Sequence, residues 1–178
     1  MFTTIKLLKL ILDKKDSQKV ANILLENELI LATAESCTGG LISSLMTDIP
    51  GSSSFIKSNF VTYANEAKTK YLSVSETTLT NNGAVSKQTA KEMAEGLLKT
   101  TNADIALVTT GIAGPTGGTK QKPVGLVYIG IAKKNKETCI FKFNTNPKYP
   151  RILIKYIFAK QAIKLLAKNL EEHNKWHV

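Results

Sequence analysis

The chain has 178 residues, 43% of them hydrophobic, and its 24 lysine and arginine side chains against 14 acidic ones give a formal charge of +10. That length supports one substantial core rather than two. Its apolar runs are broken by lysine or polar residues well short of the ~20 residues that a bilayer span requires. Residues 1–12 lack the clean apolar region and small-residue cleavage site of a secretory leader, so a soluble cytoplasmic protein without membrane partners is expected.

Cys37 and Cys139 are two isolated thiols, which make neither a disulfide framework nor a zinc set. The histidines, His173 and His177, fall in the polar tail, which leaves no basis for a metal site or a Cys-His pair. A charge of +10 suits nucleic acid, but Arg151 is the lone arginine and the lysines are scattered along helices without interleaved aromatics. The charge therefore describes solvated faces, and no specific nucleic-acid partner is expected.

In chain order, residues 4–12 suit a short helix, and Asp16 or Ser17 can cap a second one that buries Val20, Ile23 and Leu24. Leu29, Ile30 and Leu31 open a strand that runs into Ala32-Thr33-Ala34-Glu35-Ser36-Cys37-Thr38-Gly39-Gly40, after which a helix is predicted over 38–47. Between strand and helix, small hydroxyl, thiol and glycine residues place Ser36, Thr38 and unpaired backbone N–H groups on one edge suited to an anion. Residues 55–63 form a second strand, and Asn65-Glu66-Ala67-Lys68 enters a helix; by position alone Tyr63 is a half-buried aromatic and Lys68 a surface lysine. One helical turn over 76–79 precedes Asn81-Asn82-Gly83, and Ser86 caps a helix with Ala90, Met93, Ala94, Leu97 and Leu98 on its buried face.

Ile105-Ala106-Leu107-Val108 is the run of a strand covered on both sides. The loop from Thr110 to Thr119 is rich in glycine and can bring backbone close to a phosphate, yet it holds neither a Walker A spacing nor Gly-x-Gly-x-x-Gly. Strands over 124–132 and 138–143 are joined tightly enough to be antiparallel, and a helix over 151–170 closes the chain. The order predicts a single three-layer α/β/α domain around a mixed, mostly parallel sheet. Ligands in such sheets lie beyond the carboxyl ends of the parallel strands, where both special loops begin. Among the cations, Arg151 has the planar fork that matches phosphate oxygens.

Five ordered motifs, Thr33-Ala34-Glu35-Ser36-Cys37-Thr38-Gly39-Gly40, Phe60-Val61-Thr62-Tyr63-Ala64-Asn65-Glu66-Ala67-Lys68, Gly83-Ala84-Val85-Ser86, Thr110-Gly111-Ile112-Ala113-Gly114-Pro115 and Lys122-Pro123-Val124-Gly125, resemble those of the CinA carboxy-terminal domain family. That family includes stand-alone nicotinamide mononucleotide deamidases. The resemblance runs from about Ser17 to the last helix and implies a domain standing without the amino-terminal nucleotide-handling domain of two-domain members. It implies a metal-independent, cofactor-free amidohydrolase, homodimeric like many relatives, that takes nicotinamide mononucleotide to nicotinic acid mononucleotide and ammonia. Ser36 falls on the family's nucleophile, Lys68 on its general base and Tyr63 on an assisting tyrosine. Thr38, Gly39, Gly40, Asn65, Thr110, Gly111, Ala113, Gly114 and Arg151 are the expected substrate contacts. The oxyanion is expected to meet N–H groups at the start of the 38–47 helix or the Thr110 hydroxyl.

Two departures and two rivals stand beside this. Family members commonly carry Gly-Asp-Arg before the last helix, whereas this chain has Tyr149-Pro150-Arg151, with Lys155 where a second arginine is frequent. Cys37 is a competing nucleophile if its thiol pKa is lowered at the helix start. A nucleotide-binding or regulatory module that has lost turnover is the alternative outside enzymes.

Overall fold

The computed structural model describes residues 2–172, and the elements run α1 (Phe2–Leu12), α2 (Lys15–Glu26), β1 (Leu31–Glu35), α3 (Leu41–Thr47), β2 (Ile56–Val61), α4 (Asn65–Leu72), α5 (Glu76–Asn82), α6 (Lys87–Thr101), β3 (Ile105–Gly111), β4 (Leu126–Lys133), β5 (Cys139–Asn144) and α7 (Arg151–Glu171). His173 and His177 lie outside the described residues. Among the described residues, no helix is long and apolar enough to cross a membrane.

The strands form one sheet in the order β2-β1-β3-β4-β5. β1 pairs in parallel with β2 and β3, whereas β3–β4 and β4–β5 are antiparallel. The expected mixed sheet is present, but it is half parallel rather than mostly so. The physical reason is the connection: β1 and β2 are each followed by helices that cross back, while residues 112–125 return β3 directly into β4 without a crossover helix.

Period-two alternation builds the three layers. Leu31, Ile105, Leu107, Val127, Ile129 and Ile131 face one side and pack with Val20 and Leu24 of α2, Ile42 and Leu45 of α3, and Ile154, Phe158, Ile163 and Leu166 of α7. Ala32, Ala34, Ala106, Val108 and Ala132 face the other and meet Met93, Ala94 and Leu97 of α6 with Leu72 of α4. Small strand residues on this second face let α6 lie close to the sheet.

Two helix starts differ from expectation. α2 begins at Lys15 without a side-chain cap on its own first turn, and Asp13 Oδ1 instead accepts from Lys15 N at 3.0 Å. α3 begins at Leu41 rather than 38, because Gly39 and Gly40 adopt φ of 62° and 93° and hold residues 36–40 in an irregular turn. By contrast Ser86 caps α6 as expected, its Oγ accepting from Thr89 N at 3.0 Å.

α4 and α6 touch where a side chain has no room. A Cβ added at Gly96 would stand 1.7 Å from the Leu72 carbonyl oxygen at the end of α4. Gly96→Ala must therefore push the two helices apart, and overpacking of this kind costs about 1–3 kcal/mol. Urea unfolding should show a lower midpoint at an unchanged slope; an unaltered midpoint would mean that α4 is free to shift without cost.

Candidate active site

The site grows from the carboxyl edge of the parallel strands. Glu35 ends β1 opposite Val61 of β2 and Thr109 of β3. The ladder continues for one more residue, since Ser36 N donates to Thr109 O at 3.0 Å and Thr62 N to Glu35 O at 2.9 Å. Ser36 and Thr62 thus leave the sheet beside Thr110, which is still paired with Tyr128 of β4. α4 then returns Lys68 toward the same edge, where it is only 1% exposed.

The Lys68 Nζ lies 3.2 Å from Ser36 Oγ, 2.8 Å from Thr62 O and 3.2 Å from Tyr63 O. As an ammonium it donates to all three. As a neutral amine it has two N–H donors and one lone pair; the two carbonyls take the donors, which aims the lone pair at the Ser36 hydroxyl. Burial favours that neutral form and holds the Lys68 pKa below its ordinary 10.5, outweighing the opposite pull of Cys37 and Glu66. The surface lysine that position alone predicts is instead the best-buried cation of the site, and the structure places it beside Ser36.

Ser36, Lys68 and Tyr63 line a cavity of about 320 Å³, together with Cys37, Ala84, Val85, Thr110 to Gly114, Thr116, Gly117 and Arg151. This volume lies in the range of small-molecule sites. Arg151, the first residue of α7, donates through Nη1 to Gly114 O at 2.6 Å and through Nη2 to the Tyr63 hydroxyl at 3.0 Å. One guanidinium therefore ties the glycine loop, the segment after β2 and the last helix together at the cavity mouth. Tyr63 itself is 63% exposed, with its ring at the rim.

Several expected contacts are placed elsewhere. Thr38 is fully buried and its hydroxyl pairs with that of Thr109 at 2.8 Å. Gly39 and Gly40 turn away from the cavity; Lys155 Nζ would stand 3.2 Å from a Cβ on Gly39, and Val61 lies beside Gly40. Asn65, at the exposed start of α4, faces a separate cleft of about 560 Å³ with Glu66, Thr69 and Glu76. The Thr110 hydroxyl donates to Ala84 O at 2.6 Å, so its proton is committed away from an oxyanion.

The helix-start N–H groups are committed too. Gly40 N and Ile42 N donate to Glu35 Oε2, both at 3.0 Å, and Ser43 N donates to Oε1 at 2.8 Å. An internal carboxylate occupies the place that the sequence suggested for a bound anion. Cys37 loses its claim as nucleophile for a related reason: burial pushes its thiol up to about 12, so the thiolate is scarce at neutral pH. Glu35, Ala84 and Val85 are the residues of the site that sequence reasoning passed over. A lone acid closing an apolar strand just before a glycine-started helix is the signal that marked Glu35.

Fold and site together define an α/β domain with a buried serine-lysine pair at its central strand ends. The model of the CinA C-terminal domain matches residues 13–170, and the chain belongs to that family. A CinA-like protein of Endomicrobium trichonymphae is 64% identical over 122 residues, covering 68% of this chain and 28% of its own length. A putative competence-damage inducible protein of Caldicellulosiruptor saccharolyticus is 51% identical over 152 residues, covering 85% of this chain and 36% of its own. The chain thus spans about a third of the curated relatives that it matches. The competence/damage inducible protein of Agrobacterium tumefaciens superposes with a TM-score of 0.85 at 39% identity, over 89% of this chain and 94% of that one. The competence damage-inducible protein A of Klebsiella pneumoniae gives 0.83 at 29% identity, over 92% and 98%.

The lowered Lys68 pKa has a thermodynamic signature. Between the folded value and the ordinary 10.5, the unfolded chain binds more protons than the folded one. Stability therefore rises with pH through that window and levels off above it. Measured by urea unfolding, the stability difference between wild type and Lys68→Met should shift in favour of wild type from pH 7 to pH 10.5. A difference that stays constant would mean that the buried amine keeps its proton.

Proposed function

We propose that the chain is an amidohydrolase that uses Ser36 and Lys68, without a metal, to convert nicotinamide mononucleotide and water to nicotinic acid mononucleotide and ammonia. The observation that carries this reading is the 3.2 Å contact between the Lys68 amine and the Ser36 hydroxyl, with two carbonyls holding the other amine positions. A serine hydroxyl is a weak nucleophile until a neighbouring base takes its proton. Lys68 takes that proton as Ser36 Oγ bonds to the carboxamide carbon, and the carbonyl π electrons move onto oxygen. When the tetrahedral species collapses, the C–N bond breaks and Lys68 returns the proton to the departing nitrogen, which leaves as ammonia. Water then attacks the acyl ester, giving its proton to Lys68, and Ser36 leaves with that proton restored.

The oxyanion falls to backbone N–H groups of the turn that follows Ser36, since the Thr110 hydroxyl and the α3 start are already engaged. Arg151 supplies the cation for the substrate phosphate, exchanging its bonds to Gly114 O and the Tyr63 hydroxyl for phosphate oxygens. That same pair of bonds favours a second reading, a nucleotide-binding module in which Arg151 stays latched and turnover is lost.

Ammonia release from nicotinamide mononucleotide separates the two. Ser36→Ala and Lys68→Ala should each lower kcat by about 10³-fold or more with the fold intact, Cys37→Ala should stay within a few-fold of wild type, and a chelator should change nothing. Undiminished turnover in either of the first two variants ends the serine-lysine mechanism. Arg151→Ala should raise KM about ten-fold or more while kcat changes less; an unchanged KM would remove Arg151 from the phosphate.

A further inference from the structure

Glu35 is fully buried at the end of β1, and no residue of the mechanism above is a carboxylate. Its Oε2 accepts from Gly40 N and Ile42 N, both at 3.0 Å, and its Oε1 accepts from Ser43 N at 2.8 Å and Ser43 Oγ at 2.7 Å. Four donors match the four lone-pair positions of one ionised carboxylate. All of them belong to residues 40–43, while the carboxylate belongs to residue 35. The side chain therefore closes a loop that opens with Ser36, whose own N–H is held by Thr109 O of β3.

The local backbone explains why a strand residue does this work. α3 starts after Gly40, which has φ of 93° and offers no side-chain cap. The first N–H groups of a helix need acceptors, and an anion is favoured beside them. With no Ser, Thr, Asp or Asn at the cap position, Glu35 reaches across the turn and supplies the acceptor.

Polar contacts extend the arrangement to the sheet edge. Ser43 Oγ, which donates to Glu35, also lies 2.9 Å from Thr33 Oγ1. Thr33 Oγ1 in turn donates to Asn59 Oδ1 at 2.8 Å. Side-chain contacts thus link Asn59 on β2 through Thr33 and Ser43 to the Glu35 carboxylate.

We propose that Glu35 is the positioning residue of the nucleophile: its ionised carboxylate fastens residues 40–43 so that the turn delivers the Ser36 hydroxyl to Lys68. This deepens the serine-lysine reading and rests on it. Glu35 touches neither Ser36 Oγ nor Lys68 Nζ, and acts through the backbone between them. Glu35→Gln keeps the shape and one acceptor oxygen, but sets an NH2 group against N–H donors and removes the charge.

The test follows two readouts in wild type, Glu35→Gln and Ser43→Ala, each at matched folded fraction: kcat and KM for ammonia release from nicotinamide mononucleotide, and the rate at which a fluorophosphonate probe labels Ser36. A misplacement of about 1 Å at a reacting group can cost about 10²-fold. Glu35→Gln should therefore lose about 10²-fold in kcat and in labelling rate with KM within about three-fold. Ser43→Ala, which removes one of four donors, should lose about three- to ten-fold in both. Labelling of Glu35→Gln at the wild-type rate overturns the proposal; should that variant fail to fold, wild-type labelling in Ser43→Ala does the same. If wild type labels but releases no ammonia, the nucleotide reading falls while slower labelling in the variants still supports Glu35. If folded wild type does not label, Ser36 is no activated nucleophile and both fall together.

Discussion

Exclusion of water from the carboxyl edge of β1, β2 and β3 is the constraint on which the site depends, and it acts on two neighbouring groups in opposite senses. Burial lowers the Lys68 pKa because an ammonium is poorly solvated there, and raises that of Cys37 because a thiolate is too. Both side chains are thereby biased toward their neutral forms. A wetter edge would reverse both effects, leaving a charged lysine beside a more reactive cysteine. On the proposed serine-lysine reading, choice of the weaker intrinsic nucleophile, serine, is a property of the surroundings and not of the two side chains alone.

That dry edge is made by packing on both faces of the sheet. α3 and α7 cover one side, and α4 with α6 covers the other, down to the carbonyl contact at Gly96. The antiparallel return through residues 112–125 matters as much. By leaving β3 without a crossover helix, the chain spends that connection on a glycine loop that walls the cavity from Gly111 to Gly117. The architecture and the pocket are therefore the same decision made once, in the topology.

Most of the fold was legible because its signals are local and repeated. The buried run Ile105 to Val108, the α6 face with its Ser86 cap and the tight β4–β5 connection all follow from period and turn chemistry. The sheet's half-parallel character was harder, since it depends on one long loop lacking a helix. At the site, Ser36, Tyr63, Lys68 and Thr110, from three of the five motifs, line the same cavity as Arg151, which was singled out by its planar cation. Thr38, Gly39, Gly40 and Asn65 were misplaced for one reason: a motif gives adjacency in sequence but not the direction of a turn or the side of a helix. Asn65 leans with Thr69 toward α5, whereas Lys68 points inward from the same α4. The internal capture of the α3 N–H groups by Glu35 was missed for the complementary reason, since its one signal, an acid closing an apolar strand before a glycine turn, fits a surface charge as well.

One feature of composition acquires meaning at the cavity mouth. Every other cationic side chain of this strongly basic protein is a lysine, apart from the two histidines, and a lysine there would be a single point charge on a swivelling stem. Arg151 meets Gly114 and Tyr63 at once because its plane offers two fixed directions. A proteome that drifts toward lysine can exchange one cation for the other wherever only charge is asked for; it meets its limit where a residue must also serve as a bracket.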